Sequence, residues 1–215
     1  MFLFFINSSR RLSSSLVRLS CLSSINISFD NPNLLSYYKN VNNFIYDSTL
    51  NNDGKRAVFE ARGDLFSVPA KKGVTVNLTK TQGIRETSPA WSPDGKWIAY
   101  ISDKTGNNEI YLLDPKGEKT SIQLTDDKIW KSAVLWSPDS KKVLYTMDRK
   151  LQLLTIKTKK VITVDKDNQA TINDYNWSQD SKWVTYSKNN SNGLSSIWVY
   201  SIEKNKNFPF LFFLY

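Results

Sequence analysis

Four aspartates recur in one setting, and they are the first residues to weigh for chemistry. Asp94 stands in Trp91-Ser92-Pro93-Asp94-Gly95-Lys96 and Asp139 in Trp136-Ser137-Pro138-Asp139-Ser140-Lys141. Asp180 stands in Trp177-Ser178-Gln179-Asp180-Ser181-Lys182, and Asp53 in Leu50-Asn51-Asn52-Asp53-Gly54-Lys55. Their carboxylates could serve as general acids or metal ligands, and Ser92, Ser137 and Ser178 as nucleophiles. The spacing argues against both. Acid–base work needs groups that converge on one reacting atom, whereas these aspartates lie 41 to 45 residues apart, one to each copy of a motif. An Asp that bonds amides two residues further on is doing the ordinary work of a tight turn. The serines also lack a base, because the chain contains no histidine. That absence removes Ser-His-Asp and Cys-His catalysis, a His proton shuttle and His-ligated metal from this chain.

Cys21 is the lone cysteine, so intrachain disulfides and Cys-based zinc sites are excluded. Asp103, Asn107, Asn108 and Glu109 have the composition of a calcium loop without its alternating ligand spacing, and a hairpin turn accounts for them. No catalytic residue, cofactor or metal is assigned. The tryptophans could stack on bases or sugars, but their regular spacing marks them as core. Arg62, Arg85 and Glu86 remain. They fall outside the repeated pattern, in segments read as loops, where binding residues concentrate. They are the candidate loop contacts, with an ion pair at the surface or between sheets as the plainer alternative.

The 215 residues carry 29 Lys and Arg against 20 Asp and Glu, a net charge of +9. A basic balance can signal nucleic acid. Here the lysines are interspersed with aspartates, and the densest stretch is Lys157, Lys159 and Lys160. A solvated basic surface is the reading, with no nucleic-acid partner. No apolar run approaches the ~20 residues that a membrane helix needs.

These residues must be positioned by strands. Nine residues after each anchor (Leu50, Trp91, Trp136 and Trp177) stands an aromatic residue: Phe59, Tyr100, Tyr145 and Tyr186. Seven after it stand Ala57, Ile98, Val143 and Val184. Trp97–Ile101 and Ile110–Leu113 are rich in β-branched and aromatic residues, Ile122–Thr125 alternates, and another strand leads into Ala90-Trp91. No segment sustains a 3.6-residue period with caps. Four antiparallel strands per repeat of about 40 residues make a β-propeller blade. One small sheet cannot hide both of its apolar faces, and stacking blades covers them. The fold expected is therefore all-β: a β-propeller of about four blades, near residues 44–80, 86–126, 131–165 and 172–204, forming an incomplete propeller over 37–204. The last unit shows no convincing fourth strand.

The two ends differ from the middle. Residues 1–36 form an N-terminal segment; its first thirty residues include Arg10, Arg11 and Arg18, many serines and no acid before Asp30. A transit peptide and non-native sequence both stay open as readings, and both predict a poorly packed start. Residues 205–215 end in the apolar run Phe208–Tyr215, which is either a terminal strand or a tail that marks a truncation; the repeat favours the tail.

The turn Trp-Ser-Pro-Asp-Gly-Lys, followed by Ser102-Asp103, Gly106 and Glu109-Ile110-Tyr111, resembles the WD40-like Pro-Asp repeat carried by TolB and by the propellers of many peptidases. A longer stretch, Gly54–Ala70, resembles the propeller of tricorn-type serine peptidases. Asn77-Leu78-Thr79, Gly83-Ile84-Arg85-Glu86 and Ser88-Pro89-Ala90-Trp91 continue it. The resemblance covers roughly residues 50–204. It implies a non-catalytic propeller segment that guides or gates peptides, in a serine peptidase whose catalytic domains lie downstream. The partners implied are peptides or protein domains, including further blades and a downstream peptidase domain. A TolB-like interaction module is the alternative. The compartment expected is cytoplasmic, with periplasmic, secreted or organellar locations as alternatives.

Overall fold

The structure, a computed structural model, describes residues 44–210 except 133, 169–171, 173 and 190–193. The expectations for residues 1–36 and for 211–215 lie outside the described residues.

The described residues form sixteen strands in four separate four-stranded sheets. The first holds β1 (Ile45–Leu50), β2 (Arg56–Ala61), β3 (Asp64–Pro69) and β4 (Val76–Asn77). The second holds β5 (Glu86–Trp91), β6 (Ile98–Ser102), β7 (Glu109–Leu113) and β8 (Ile122–Gln123). The third holds β9 (Leu135–Trp136), β10 (Lys142–Met147), β11 (Lys150–Thr155) and β12 (Lys160–Lys166). The fourth holds β13 (Tyr175–Trp177), β14 (Trp183–Asn189), β15 (Ser195–Ser201) and β16 (Lys206–Pro209). Within each sheet the strands follow chain order and pair antiparallel. Among the described residues there is no α-helix.

One reading needs correcting. The segment taken as an apolar tail supplies the fourth strand of the last blade: Phe208 pairs with Val199 and Asn207 with Tyr200. The strand was hidden because Asn205-Lys206-Asn207 carries no apolar alternation. Its hold on the neighbouring blade is polar, through Asn207 Nδ2 donating to the Val164 carbonyl at 2.9 Å.

Burial follows the period of two that strands impose. In β6, Ile98 and Tyr100 pack with Val58, Leu65 and Leu78 of the first blade. Ala99 and Ile101 face Val143, Tyr145 and Leu154 of the third. The third blade's other face, Leu144, Leu151 and Leu153, meets Val184, Tyr186 and Tyr200 of the fourth. All five residues of β6 and all five of β7 are therefore buried, as expected of a sheet covered on both faces. In β14 the alternation is one-sided: Val184 and Tyr186 are buried, while Trp183 and Thr185 are exposed. Among the described residues no core cluster joins the fourth blade to the first. The blades form part of a propeller rather than a closed ring.

Candidate functional site

The repeated turns come first, because their geometry decides what their aspartates do. Ser92 Oγ donates to Asp94 Oδ1 at 2.7 Å and accepts from the Trp97 amide at 3.0 Å, while Asp94 Oδ1 accepts from the Lys96 amide at 3.1 Å. Ser137–Asp139 and Ser178–Asp180 repeat this set, with hydroxyl-to-carboxylate distances of 2.6 and 2.5 Å. Pro93, Pro138 and the following glycine or serine complete the bend. At Asn51–Lys55 there is no serine, and Asp53 Oδ1 caps the Lys55 amide alone, at 2.9 Å. The Ser178 hydroxyl and the Lys182 amide hold Asp180 below the usual carboxylate range, and the Lys55 amide does the same for Asp53. At Asp94 burial pushes the other way, but the Ser92 and Lys96 bonds outweigh it. These carboxylates are ionised, capped and spread over four blades. They are turn residues.

The turns also hold the blades together. The fourth turn position has positive φ in every copy: Gly54 66°, Gly95 72°, Ser140 57° and Ser181 59°. Glycine accepts that conformation freely and serine does not. The two serines return something for the strain. Ser140 Oγ accepts from the Asp94 amide and Ser181 Oγ from the Asp139 amide, each at 3.0 Å across a blade boundary. A Cβ on Gly95 would stand 3.3 Å from Asn51 Oδ1, so the first two turns are also neighbours. The four turns share one rim.

The tryptophans repeat the device inside the seams. Trp136 Nε1 donates to the Ala90 carbonyl at 2.9 Å and Trp177 Nε1 to the Leu135 carbonyl at 3.3 Å. Each indole thus reaches the residue before the preceding blade's anchor. Trp91 breaks the pattern. Its amide bonds Thr49 Oγ1 at 3.3 Å, but its buried Nε1 has no acceptor among the described residues. Trp91 and Trp136 are buried and Trp177 is half-buried.

The opposite rim carries the candidate site. Ala61 pairs with Asp64, so Arg62 and Gly63 form a two-residue hairpin loop with φ of 57° and 85°. That is the type I′ turn whose twist suits a hairpin. Asp148 and Arg149 form the same turn in the third blade, with φ of 47° and 58°. Arg85 anchors the loop ahead of β5: its amide donates to Asp103 Oδ1 at 2.8 Å, and its carbonyl accepts from the Asp103 amide at 3.3 Å. Arg62 and Arg85 come together here. With Tyr46, Glu60, Gly63, Gly83 and Ile84 they line a cleft of about 390 Å³. Glu86 does not join them. It opens β5 rather than a loop, and it is 1% exposed.

Three features of this rim carried no sequence signal that strand periodicity could detect. The first is a β-bulge in β5. The register jumps between Thr87 and Ala90, Ser88 sits at φ 53°, and its freed amide donates to Glu60 Oε2 at 2.9 Å. The second is a buried charge cluster between the second and third blades. Lys131 Nζ contacts Glu109 Oε2 at 2.9 Å, Asp127 Oδ1, and the Ile129 carbonyl at 2.8 Å. Glu109 also accepts from Thr125 Oγ1 at 2.5 Å and from the Lys128 amide at 2.8 Å. The third lies between the third and fourth blades, where Asp165 accepts from Tyr186 OH at 2.7 Å and from Lys188 Nζ at 3.0 Å. A buried acid or lysine interrupts an apolar run, and single positions of that kind leave no period. Among the described residues no group of three or more acidic or cysteine side chains could hold a metal ion.

Comparison with known proteins fits this geometry. The profile of the tricorn protease second beta propeller domain matches residues 45–211. An uncharacterized peptidase, YuxL, of Bacillus subtilis is 41% identical over 64 residues, 29% of this chain and 10% of its own. The crystal structure of the tricorn protease superposes with a TM-score of 0.67 at 18% identity, covering 77% of this chain and 16% of that one. TolB from Acinetobacter baumannii superposes with a TM-score of 0.60 at 19% identity, over 77% of this chain and 43% of TolB. At such identities the structural likeness speaks for the fold. The chain spans 10% of the length of YuxL and 46% of that of a second curated relative, the uncharacterized protein Atu1656 of Agrobacterium fabrum. With the match running through all four blades, the chain belongs to the family of the tricorn protease second β-propeller domain.

Proposed function

We propose that this chain is a non-catalytic propeller segment that guides or gates peptides for proteolysis carried out by other parts of a larger serine peptidase. The observation that carries the reading is the cleft where Arg62 and Arg85 line one rim beside Tyr46. A peptide's C-terminal carboxylate is planar and accepts two parallel N–H bonds from a guanidinium. The exposed Tyr46 ring, 68% accessible, offers a flat face for the neighbouring side chain. Capture of this kind selects by charge and shape and needs no nucleophile, in keeping with a chain that has no histidine. The peptidase and tricorn protease names among its relatives favour peptides as the guided molecules. Further blades and a peptidase domain are the partners this reading calls for.

The likeness to TolB favours a second reading, in which the same rim docks a folded protein. Fluorescence anisotropy separates the two. A labelled unstructured peptide of about ten residues with a free C-terminus, a length that tests extended binding, should bind and lose affinity on amidation. Arg85→Ala should weaken the free acid and leave the amide unchanged. Equal binding of acid and amide, or no peptide binding beside a stable complex with a folded domain, contradicts the first reading.

A further inference from the structure

The seams between blades are built from equivalent positions, and comparing them exposes a mismatch in charge. Asn77-Leu78-Thr79 in the first unit matches Gln123-Leu124-Thr125 in the second. Thr79 Oγ1 accepts from the Leu65 amide at 3.2 Å, as Thr125 Oγ1 does from the Ile110 amide at 2.9 Å. Each threonine hydroxyl also donates to the acid that opens the next strand in: Thr79 to Asp64 at 3.2 Å, Thr125 to Glu109 at 2.5 Å. Five residues before the anchor tryptophan, Glu86 holds the position that Lys131 holds one blade on. Lys131 meets Glu109 and Asp127. Glu86 has the Asp64 carboxylate nearby instead, and its Oε1 accepts from the Thr81 hydroxyl at 2.7 Å. Where the second seam sets a lysine against acids, the first sets acid against acid.

The consequence shows in the structure. Glu86 is 1% exposed, and its Oε2 is buried and accepts no hydrogen bond among the described residues. Leaving such an acceptor unpaired is costly. The side chain lines a cleft of about 310 Å³ between the first two blades, a volume at the lower end for small-molecule sites. Buried Leu78, Tyr100 and Leu113 form apolar walls. Lys80, Lys104 and Lys119 line it too; all three are exposed, and none forms an ion pair among the described residues. Besides buried Glu86, the lining holds one exposed acid, Glu118.

We propose that the seam between the first two blades is a binding site for a small zwitterion of the free amino-acid or dipeptide class, with its ammonium on Glu86 and its carboxylate among the lysines. An ammonium supplies the donor that Lys131 supplies in the next seam. A polyamine fits poorly, because its outer cations would meet three lysines. A simple anion fits poorly too, because Glu86 and Asp64 oppose it. The apolar walls favour an aliphatic side chain. Burial raises the Glu86 carboxyl to about 7, against the pull of the Thr81 hydroxyl, and the nearby Asp64 and Asp103 carboxylates push it the same way. Tyr100, itself pushed up to about 12 by burial, stays neutral beside it. A bound ammonium needs Glu86 ionised, so affinity rises as pH passes 7 and falls again once the ligand's amine, ordinarily near 8, loses its proton. None of the residues lining the Arg62–Arg85 cleft lines this one, so the inference stands or falls apart from the reading of that rim.

The test is calorimetric titration of the chain with leucyl-leucine, its N-acetyl derivative and its C-terminal amide near pH 7.5, where ligand ammonium and Glu86 carboxylate coexist. The free dipeptide should bind saturably. Acetylation should weaken it by about tenfold or more, and amidation by about three- to fivefold, the scale of losing one charge-assisted contact. Glu86→Lys should abolish binding while leaving thermal stability equal or raised, because it rebuilds the Lys131 arrangement against Asp64. Arg85→Ala should change nothing. An absence of saturable binding, equal affinity for the acetylated or the amidated peptide, or full binding by Glu86→Lys overturns the proposal.

Discussion

Replacing the anchor tryptophans one at a time by phenylalanine should give unequal losses, and the order follows from where each indole N–H goes. Trp136 donates to the Ala90 carbonyl at 2.9 Å across the seam, and it is buried. Trp136→Phe removes that bond, worth about 1 kcal/mol net. It also leaves a void of roughly 35 Å³, which at the measured cost of cavities adds about 0.8 kcal/mol. The expected loss is about 2 kcal/mol, or several degrees in Tm for a domain of this size. Trp177 is half-buried with a longer bond of 3.3 Å, so Trp177→Phe should cost about 1 kcal/mol on the same reasoning. Trp91→Phe is the informative case. The same void forms, but the substitution removes a buried N–H that has no acceptor among the described residues, a relief of about 1–3 kcal/mol. Trp91→Phe should therefore be neutral or stabilising. Urea unfolding at low micromolar concentration, followed by circular dichroism, reads the midpoints, with unchanged m-values as the condition for comparing them. If Trp91→Phe loses as much as Trp136→Phe, the indole bonds do not staple the blades and the reasoning fails.

Other outcomes follow from the same geometry. Ser140→Ala keeps the positive φ and loses the bond to the Asp94 amide, so it should cost about 1 kcal/mol, whereas Ser140→Gly trades that bond for relief of strain and should be near neutral in the same unfolding assay. Lys131→Met strands Glu109 and Asp127 without their cation and should destabilise by about 3 kcal/mol or more in the same assay, the scale of breaking a buried pair. Glu86 binds its proton more tightly in the folded chain than in the unfolded one, where its value is 4.5. Its contribution is thus fully present below about 4.5 and is lost as pH rises through about 7. Glu86→Gln should gain stability relative to the parent at pH 8 and little at pH 4, measured by paired melts. The exposed outer face of the fourth blade, with Trp183, Ile197, Phe208 and Phe210 all at least 38% accessible, should drive concentration-dependent self-association in sedimentation velocity, and Ile197→Lys with Phe208→Lys should reduce it.

The blades were legible because their information is periodic. The spacing of Leu50, Trp91, Trp136 and Trp177, with an aromatic nine residues on, placed the turns and inner strands, and the structure pairs those segments as sheets. What escaped was carried by single residues acting across space. The strand Lys206–Pro209 exists because β15 offers it an edge, while its own composition is that of a linker. Lys131 and Glu86 share one position in the repeat with opposite charge, and only the seam partners, Glu109 in one case and Asp64 in the other, give that difference a meaning. Arg62 and Arg85 were singled out as loop residues, and the structure brings them to one cleft. Glu86, grouped with them as a residue outside the repeated pattern in a segment read as a loop, turns inward because a strand begins at it.

The most direct test of the guiding role is a crystal structure of the chain with a bound peptide of about ten residues carrying a free C-terminus, long enough to fill an extended site. The terminal carboxylate should lie on Arg62 and Arg85, on the rim opposite the turns at Asp94 and Asp139, with Tyr46 against the adjoining side chain. A peptide seated on the turn rim, or one whose carboxylate points to solvent while Arg62 and Arg85 touch nothing of it, contradicts the account.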